Sequence, residues 1–600
     1  MRKSIVRFGS LLLLTAIALA LTTTSGQAQQ TVGLFLNTED AYPGYTLWAP
    51  RNETTYLIDN DGREVHSWTS VYLPGNTAYV LPNGNLVRTG KDGPKDLIRF
   101  LGGGHGGRVE ILDWDSNVLW TFLHATNDYR LHHDIEVLPN GNILMISWEL
   151  KSEAEAIQAG RDPALISEGE LWPDYIIEVE PVGATDFNIV WEWHIWDHLI
   201  QDFDPTKDNF GIIFDHPELL DINHVFDGSN PGRANWLHTN SIDYNAELDQ
   251  IMIGSPRSHE IYVIDHSTTT EEAAGHTGGI YGKGGDFLYR WGNPRAYDRG
   301  GPQDQMFFGG HHDTWIDPGL PGEGHVLFYN NRAGGNYSRV DEFVSPVDGS
   351  GFYPMPIGQH WGPDELEWSY VHTPPEEFFS GGLSGAQRLP NGNTLICEGR
   401  GATTAGEAAN FFEVTDAGDI VWRYVNPVGN AGPIMQGGLP TSDFNSFRVQ
   451  RYPLDYPGFD GQDLTPGDPI ELFNAPPPAP DGDAGTTAMT VAKLMPDASI
   501  LQLYWDAATC TAFDYNVIYG NLADVSSYGL LGAQCGLGTT GLQNWDPVPA
   551  GDLFFLIVGE DDTGVYESSW GVDSSGAERK AVTPSGQCGI TNKVLTGTCP

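Results

Sequence analysis

The sequence predicts an all-β protein, a six-bladed β-propeller followed by a small C-terminal β-sandwich of the fibronectin type III kind. Three observations carry this. A strand-turn-strand tail recurs in five copies: H-H-D-I-E-V-L-P-N-G-N-I-L-M-I from His132, H-T-N-S-I-D-Y-N-A-E-L-D-Q-I-M-I from His238, H-H-D-T-W-I-D-P-G-L-P-G-E-G-H-V-L-F-Y from His311, N-T-A-Y-V-L-P-N-G-N-L-V from Asn76 and S-G-A-Q-R-L-P-N-G-N-T-L-I from Ser384. A second unit accompanies it: an alternating strand, an acidic or Gly turn, and a strand ending in Trp. It spans Tyr56 to Trp68, Val109 to Trp120, Ile176 to Trp193 and Phe411 to Tyr424, with Ile261 to Asp265 plus Phe287 to Trp291 as a copy holding an insertion and Glu365 to Val371 as a degenerate one. The third is composition: 73 Gly, 40 Pro and 18 Trp suit short strands and tight turns better than helices.

Period-2 alternation around a D-x-G or N-G turn is a hairpin signal, and two hairpins make a four-stranded blade. The first two L-P-N-G-N tails start 57 residues apart, about one blade. The count gives roughly six blades between residues 45 and 455. Such blades cannot bury both faces unless they stack in a closed ring, so the strand heads converge on an axis.

In chain order, Arg2, Lys3 and Arg7 precede an apolar run from Leu11 to Leu21 and small residues ending at Gly26-Gln27-Ala28. This is the pattern of a secretory signal, and the run is too short to span a bilayer. Residues 1–28 are assigned to it, with the mature chain starting near Gln29; no later stretch suits a membrane helix, so a soluble secreted or periplasmic product is expected. Residues 29–460 form the propeller, and 461–485, with P-P-P-A-P-D-G-D, a Pro/Asp/Gly-rich linker. In 486–600 the strands I-L-Q-L-Y-W-D, Y-N-V-I-Y-G and L-F-F-L-I-V-G-E make the sandwich, suited to adhesion, solubility or spacing. Cys510, Cys535, Cys588 and Cys599 cluster there and permit three pairings, whereas Cys397 reads as a buried free thiol. The net charge of −48 opposes binding to nucleic acid or anionic lipid, and a basic pocket in that field would stand out.

Asn76 and Ser384 head their tails without histidine, so the tail is architecture and the histidines are an addition. His133, His238 and His312 share one repeat position, and Arg257, in I-M-I-G-S-P-R-S-H-E-I-Y, follows the strand that His238 opens. Three imidazoles and a guanidinium on an axis make an anion pocket: Arg offers a planar fork to a tetrahedral oxyanion, and His a hydrogen bond or a nucleophile. This favours transfer of a sulfuryl or phosphoryl group. Taken singly, each His reads as a turn or inter-blade residue, and Arg257 as a surface ion pair. Of each doubled pair, His132-His133 and His311-His312, alternation lets only one face inward. A zinc or copper site is the rival use of the histidines, with Arg257 an unwelcome neighbour. The runs D-N-D-G and D-W-D-S-N read as hairpin turns rather than calcium loops.

At these residues the chain resembles the bacterial aryl sulfate sulfotransferases, secreted six-bladed propellers that move a sulfuryl group between phenols without a nucleotide sulfate donor. The motifs are H-D-I-E-V-L-P-N-G-N, W-L-H-T-N-S-I-D-Y, the Arg of S-P-R-S-H-E-I, and H-D-T-W followed by H-V-L-F-Y-N-N. The resemblance implies a transiently sulfated nucleophile at His312. It also implies that His133, His238 and Arg257 hold the sulfuryl oxygens, with Asn240 as a helper and Arg339 of Y-S-R as a weaker substrate contact. Aryl sulfates and phenols are the implied partners, with no cofactor and no catalytic metal. The alternative function is a secreted, non-catalytic propeller binding a ligand or surface glycan through an adhesion module. The sequence does not fix the oligomeric state.

Overall fold

The computed structural model describes residues 30–94, 97, 99–225, 232–403, 406–478, 486–572 and 577–597. The expected signal segment, Gln29, the end of the linker and Cys599 lie outside them.

The chain is almost entirely β, and its first three-quarters fold into six antiparallel sheets. From the inner strand outward, the second sheet is Pro74–Val80, Leu86–Lys91, Gly107–Leu112 and Val118–Leu123, and the third is Tyr129–Val137, Ile143–Glu149, Asp174–Val182 and Asp186–His194. The fourth holds Ser241–Asn245, Gln250–Ser255, Glu260–Asp265 and Tyr289–Trp291, the fifth Gly310–Trp315, Val326–Asn330, Arg339–Phe343 and Trp368–Tyr370. In the second to fourth the recurring tail supplies the two inner strands and the Trp-ended unit the two outer ones; in the fifth the degenerate unit supplies only the outermost. The degenerate unit is a true strand, with Trp368 paired to Glu342.

The sequence reading missed how the chain ends interlock. The first sheet, Gly44–Trp48, Thr54–Ile58 and Glu64–Thr69, takes its inner strand from Val449–Pro453. The sixth, Ser384–Arg388, Thr394–Thr403, Gly406–Val414 and Ile420–Val425, gains a fifth, outermost strand from Gly33–Asn37. Successive sheets meet along their inner strands, and Ser384–Arg388 meets Val449–Pro453, so the six close on themselves.

Alternation explains the closure. Leu144 and Ile146 pack toward the fourth sheet with Ile251 and Tyr262, while Ile143 and Met145 of the same strand pack toward the second with Val87 and Val109. Each sheet is therefore apolar on both faces and needs two neighbours. The same holds where Trp48 meets Phe411 and Trp422, closing first onto sixth.

Beyond the linker, Thr490–Lys493, Leu501–Tyr504 and Leu542–Trp545 form a three-stranded sheet. It shares a core of Leu503, Trp505 and Trp545 with Tyr515, Val517 and Ile557 of a five-stranded sheet. In the latter Tyr566–Ser568 and Asn592–Val594 pair in parallel, unlike an all-antiparallel sandwich. Cys535 pairs with Cys588 across 53 residues, and Cys397 is a buried free thiol whose ionisation burial opposes. The unit is anchored on the first sheet: buried Arg63 donates to the carbonyls of Gly467 and Lys593, and Tyr566 Oη donates to Glu471. The two acidic runs are hairpin turns, Asp59 accepting from Arg63 N at 2.9 Å and Asp113 from Asn117 N at 2.8 Å.

Candidate active site

His133, His238 and His312 share a backbone peculiarity as well as a repeat position. Their φ angles are +53°, +60° and +56°, left-handed, and Leu383 at the head of the sixth sheet has +65°. A non-glycine residue there costs about 1–2 kcal/mol, and such strain concentrates at functional sites. The ladder slips at two of these heads, opposite Met145–Ser147 for His133 and between His311 and Thr314 for His312. A bulge of this kind re-aims a side chain.

His133, His238 and Arg257 come together, lining a chamber of about 920 Å³ at one end of the ring. The doubled pair His132-His133 is resolved by it. His133 faces the chamber, while His132 lies behind, stacked on Trp148 at 3.9 Å with Nε2 3.2 Å from Asp174 Oδ1. His132 and His133 approach through their Nδ1 atoms at 2.8 Å. In that contact one Nδ1 donates and the other accepts. His133 Nε2 points at Gly104, where an added Cβ would lie 2.0 Å away. The His133 and His238 rings meet edge to face at 4.4 Å. Asn235 Nδ2 donates to His238 Nδ1 at 2.8 Å, which places the proton of neutral His238 on Nε2. His238 thus presents a protonated nitrogen beside the His133 ring.

The sequence reading missed most of the chamber's charge. Arg51, Lys91, Arg332 and Arg400 join Arg257 in the lining, with His105 and His259 beside them, and among the described residues no carboxylate lines it. A signal was available. The five cations sit at or just after the second strand of five different sheets, in L-W-A-P-R, L-V-R-T-G-K, I-M-I-G-S-P-R, L-F-Y-N-N-R and L-I-C-E-G-R. Burial, then the neighbouring Arg51 and Arg130, holds the Lys91 ammonium below its usual value; burial and Arg400 do the same to Arg51. Burial also lowers His105, against the Gly102 carbonyl and with Arg130 and Lys91. The gathered cations repel one another, and an anion relieves this.

His312 is placed differently. It lines a smaller cavity of about 180 Å³ with Tyr79, Glu136, Asp243, Asp317 and Arg448. Phe447 lines the chamber and Arg448, the next residue, this cavity, so the two lie close together. His312 Nδ1 accepts from Ala386 N at 3.2 Å, which puts the proton of the neutral ring on Nε2. Around it, burial and then Asp243, Asp134 and Asp317 raise Glu136, and burial pushes Asp243 up to about 7. Arg448 is committed to Asp134 at 2.5 Å and to Tyr79 Oη.

Neither expected substrate contact lines the chamber. Asn240 is fully buried and donates to Gly310 O at 3.2 Å, tying the fourth sheet to the head of the fifth. Arg339 pairs with Asp341 through Nη2 at 2.9 Å. Among the described residues the group with metal-ligand spacing is His198, His276 and Asp286, none of which lines the chamber.

A family model described as Arylsulfotransferase (ASST) matches residues 121–422, spanning the third to sixth sheets and all four predicted site residues. No curated protein matches the chain. Solved structures that resemble it do so distantly. A putative 6-phosphogluconolactonase from Bacteroides fragilis has 10% identity over 86% of this chain and 99% of its own, with a TM-score of 0.30. AztD from Citrobacter koseri has 8% identity over 87% and 99%, with a TM-score of 0.26. The Dos1 propeller has 11% identity over 80% and 93%, also with a TM-score of 0.26.

Proposed function

The chain belongs to the arylsulfotransferase (ASST) family, and from this premise we propose that it transfers a sulfuryl group from an aryl sulfate to a phenol through a sulfohistidine at His312. The observation that carries the proposal is the chamber, where His133, His238 and Arg257 converge with, among the described residues, no carboxylate in the lining of a protein of net charge −48. Such a lining suits a group whose charge sits on three oxygens during transfer, so that catalysis is mainly positioning and charge stabilisation.

In the first half-reaction a ring nitrogen of His312 that carries no proton forms the N–S bond while the S–O(aryl) bond breaks, its electron pair leaving on the phenolate oxygen; attack through Nε2 needs the tautomer with the proton on Nδ1, in place of the Ala386 contact. The ring proton, released once the N–S bond has formed, is the one that oxygen gains, relayed by His133; His238 Nε2–H and the Arg257 fork hold the sulfuryl oxygens. An acceptor phenol runs the steps in reverse. Export fits this reading, because the Cys535–Cys588 pair suits an oxidising compartment. No described helix is long and apolar enough to cross a membrane.

One observation favours the alternative of a non-catalytic anion-binding propeller: His312 lines a different cavity from the other three. Incubation with an aryl sulfate alone decides. The proposal requires one equivalent of phenol in a burst, a sulfuryl mass increment on the peptide holding His311 and His312, and loss of both in His312→Asn. Binding without phenol release establishes the alternative, and an adduct on His133 or His238 moves the nucleophile.

A further inference from the structure

A single sulfuryl group explains too little of the chamber's charge. One aryl sulfate carries one negative charge, which Arg257 and the two imidazoles can hold. Arg51, Lys91, Arg332 and Arg400 remain, and among the described residues no carboxylate lies within ion-pair distance of any of them. These four side chains are exposed at the open chamber, whereas the buried cations Arg88, Arg290 and Arg451 are paired with Glu110, Glu260 and Glu413. Acidic side chains outnumber basic ones 79 to 31, so the lack of partners at one place is not a shortage of carboxylates. Like charges gathered round one opening repel one another, and a bound anion relieves this.

Position strengthens the argument. The five cations stand at the same place in five sheets, and so encircle the chamber rather than crowd one wall. A volume of about 920 Å³ is near the upper end of small-molecule sites, about 300–1,000 Å³. It leaves room for a second anionic group beyond the reacting sulfate. A field of −48 repels polyanions from the rest of the surface, so a cationic ring would focus them here.

We infer that the preferred donor is a polyanion, an aryl sulfate carrying at least one further anionic group, sulfate or carboxylate, held by Arg51, Lys91, Arg332 and Arg400. This rests on the sulfotransferase reading for the word donor, but not for the binding.

Sulfonates separate the two, because their C–S bond is not transferred. Equilibrium binding of benzenesulfonate, benzene-1,3-disulfonate and 3-sulfobenzoate to the full chain is compared at low and high ionic strength. The expected result is disulfonate affinity at least about tenfold above the monosulfonate, roughly one further ion pair, with the gap narrowing as salt rises. Arg332→Gln and Arg400→Gln should each reduce the ratio of disulfonate to monosulfonate affinity. The sulfobenzoate then shows whether any second anion suffices or a sulfur oxyanion is needed. Equal affinity for mono- and disulfonate overturns the inference even if sulfate transfer is found. Tighter disulfonate binding without transfer sustains it while the proposed reaction falls.

Discussion

Gly104 tests whether His133 takes part in the chemistry. Its φ is +79°, and a Cβ added there would lie 2.0 Å from His133 Nε2, 2.2 Å from Cε1 and 2.3 Å from Cδ2. Ordinary contact needs about 3.5 Å, so in Gly104→Ala the ring has to retreat by roughly 1.5 Å. It cannot swing freely, since Nδ1 is held by His132 and its other edge by His238. A misplacement near 1 Å costs about 100-fold in rate, so kcat/KM for sulfate transfer should fall by at least about that factor. Alanine at positive φ also costs about 1–2 kcal/mol of stability, which Gly141→Ala controls. Gly141 has φ +88° with nothing within 4 Å of an added Cβ. It pays the backbone cost in a turn of the third sheet, the one that carries His133, without touching the site. The two variants should melt within a few degrees of each other, and Gly104→Ala alone should lose transfer. If both folded variants keep equal activity, His133 is not a catalytic residue and the chamber assignment fails with it.

Asn235→Ala frees His238 Nδ1 to take the proton, so we expect kcat/KM to drop about tenfold or more with little change in melting temperature, whereas Asn235→Gln should retain more activity. On the groups named here stability should be roughly level from about pH 4.5 to 6.5 and fall from there to pH 9. Asp243 and Asp313, both pushed up to about 7 by burial, contribute stability that is full below the unfolded value near 4 and lost as pH rises from there to about 7, and His266, raised to about 9 between Asp249 and Glu178, extends the loss upward. On the acid side His124 and His224, depressed to about 4 by burial, favour unfolding as pH falls below the unfolded value near 6.5. Calorimetry from pH 4.5 to 9 checks both limbs, and a melting temperature rising steadily to pH 9 would contradict the assigned directions. Cys535→Ser with Cys588→Ser opens a 53-residue span worth about 4 kcal/mol by loop entropy; the C-terminal unit should then unfold earlier while transfer in the remaining fold is kept.

The sequence by itself determined the all-β class, the inner and outer hairpins of the sheets and three of the four chamber groups the notable motifs pointed to. Those features are written locally: alternation at period 2, turn residues at fixed offsets, and histidine where Asn76 and Ser384 show that the fold needs none. His133, His238 and Arg257 could be read because each is bound to its own strand head or strand end. What joins distant parts of the chain was not legible. Val449–Pro453 and Gly33–Asn37 look like any strands until the ring closes on them, because strand pairing depends on partners hundreds of residues away. The ring of cations escaped for the same reason, since each Arg or Lys is ordinary in its own segment and becomes a chamber wall only beside four others. The cavity that His312 lines was likewise decided by a bulge and by the backbone N–H of Ala386 in the next sheet. Local periodicity determines which face a side chain takes; only the closed ring determines what meets it there.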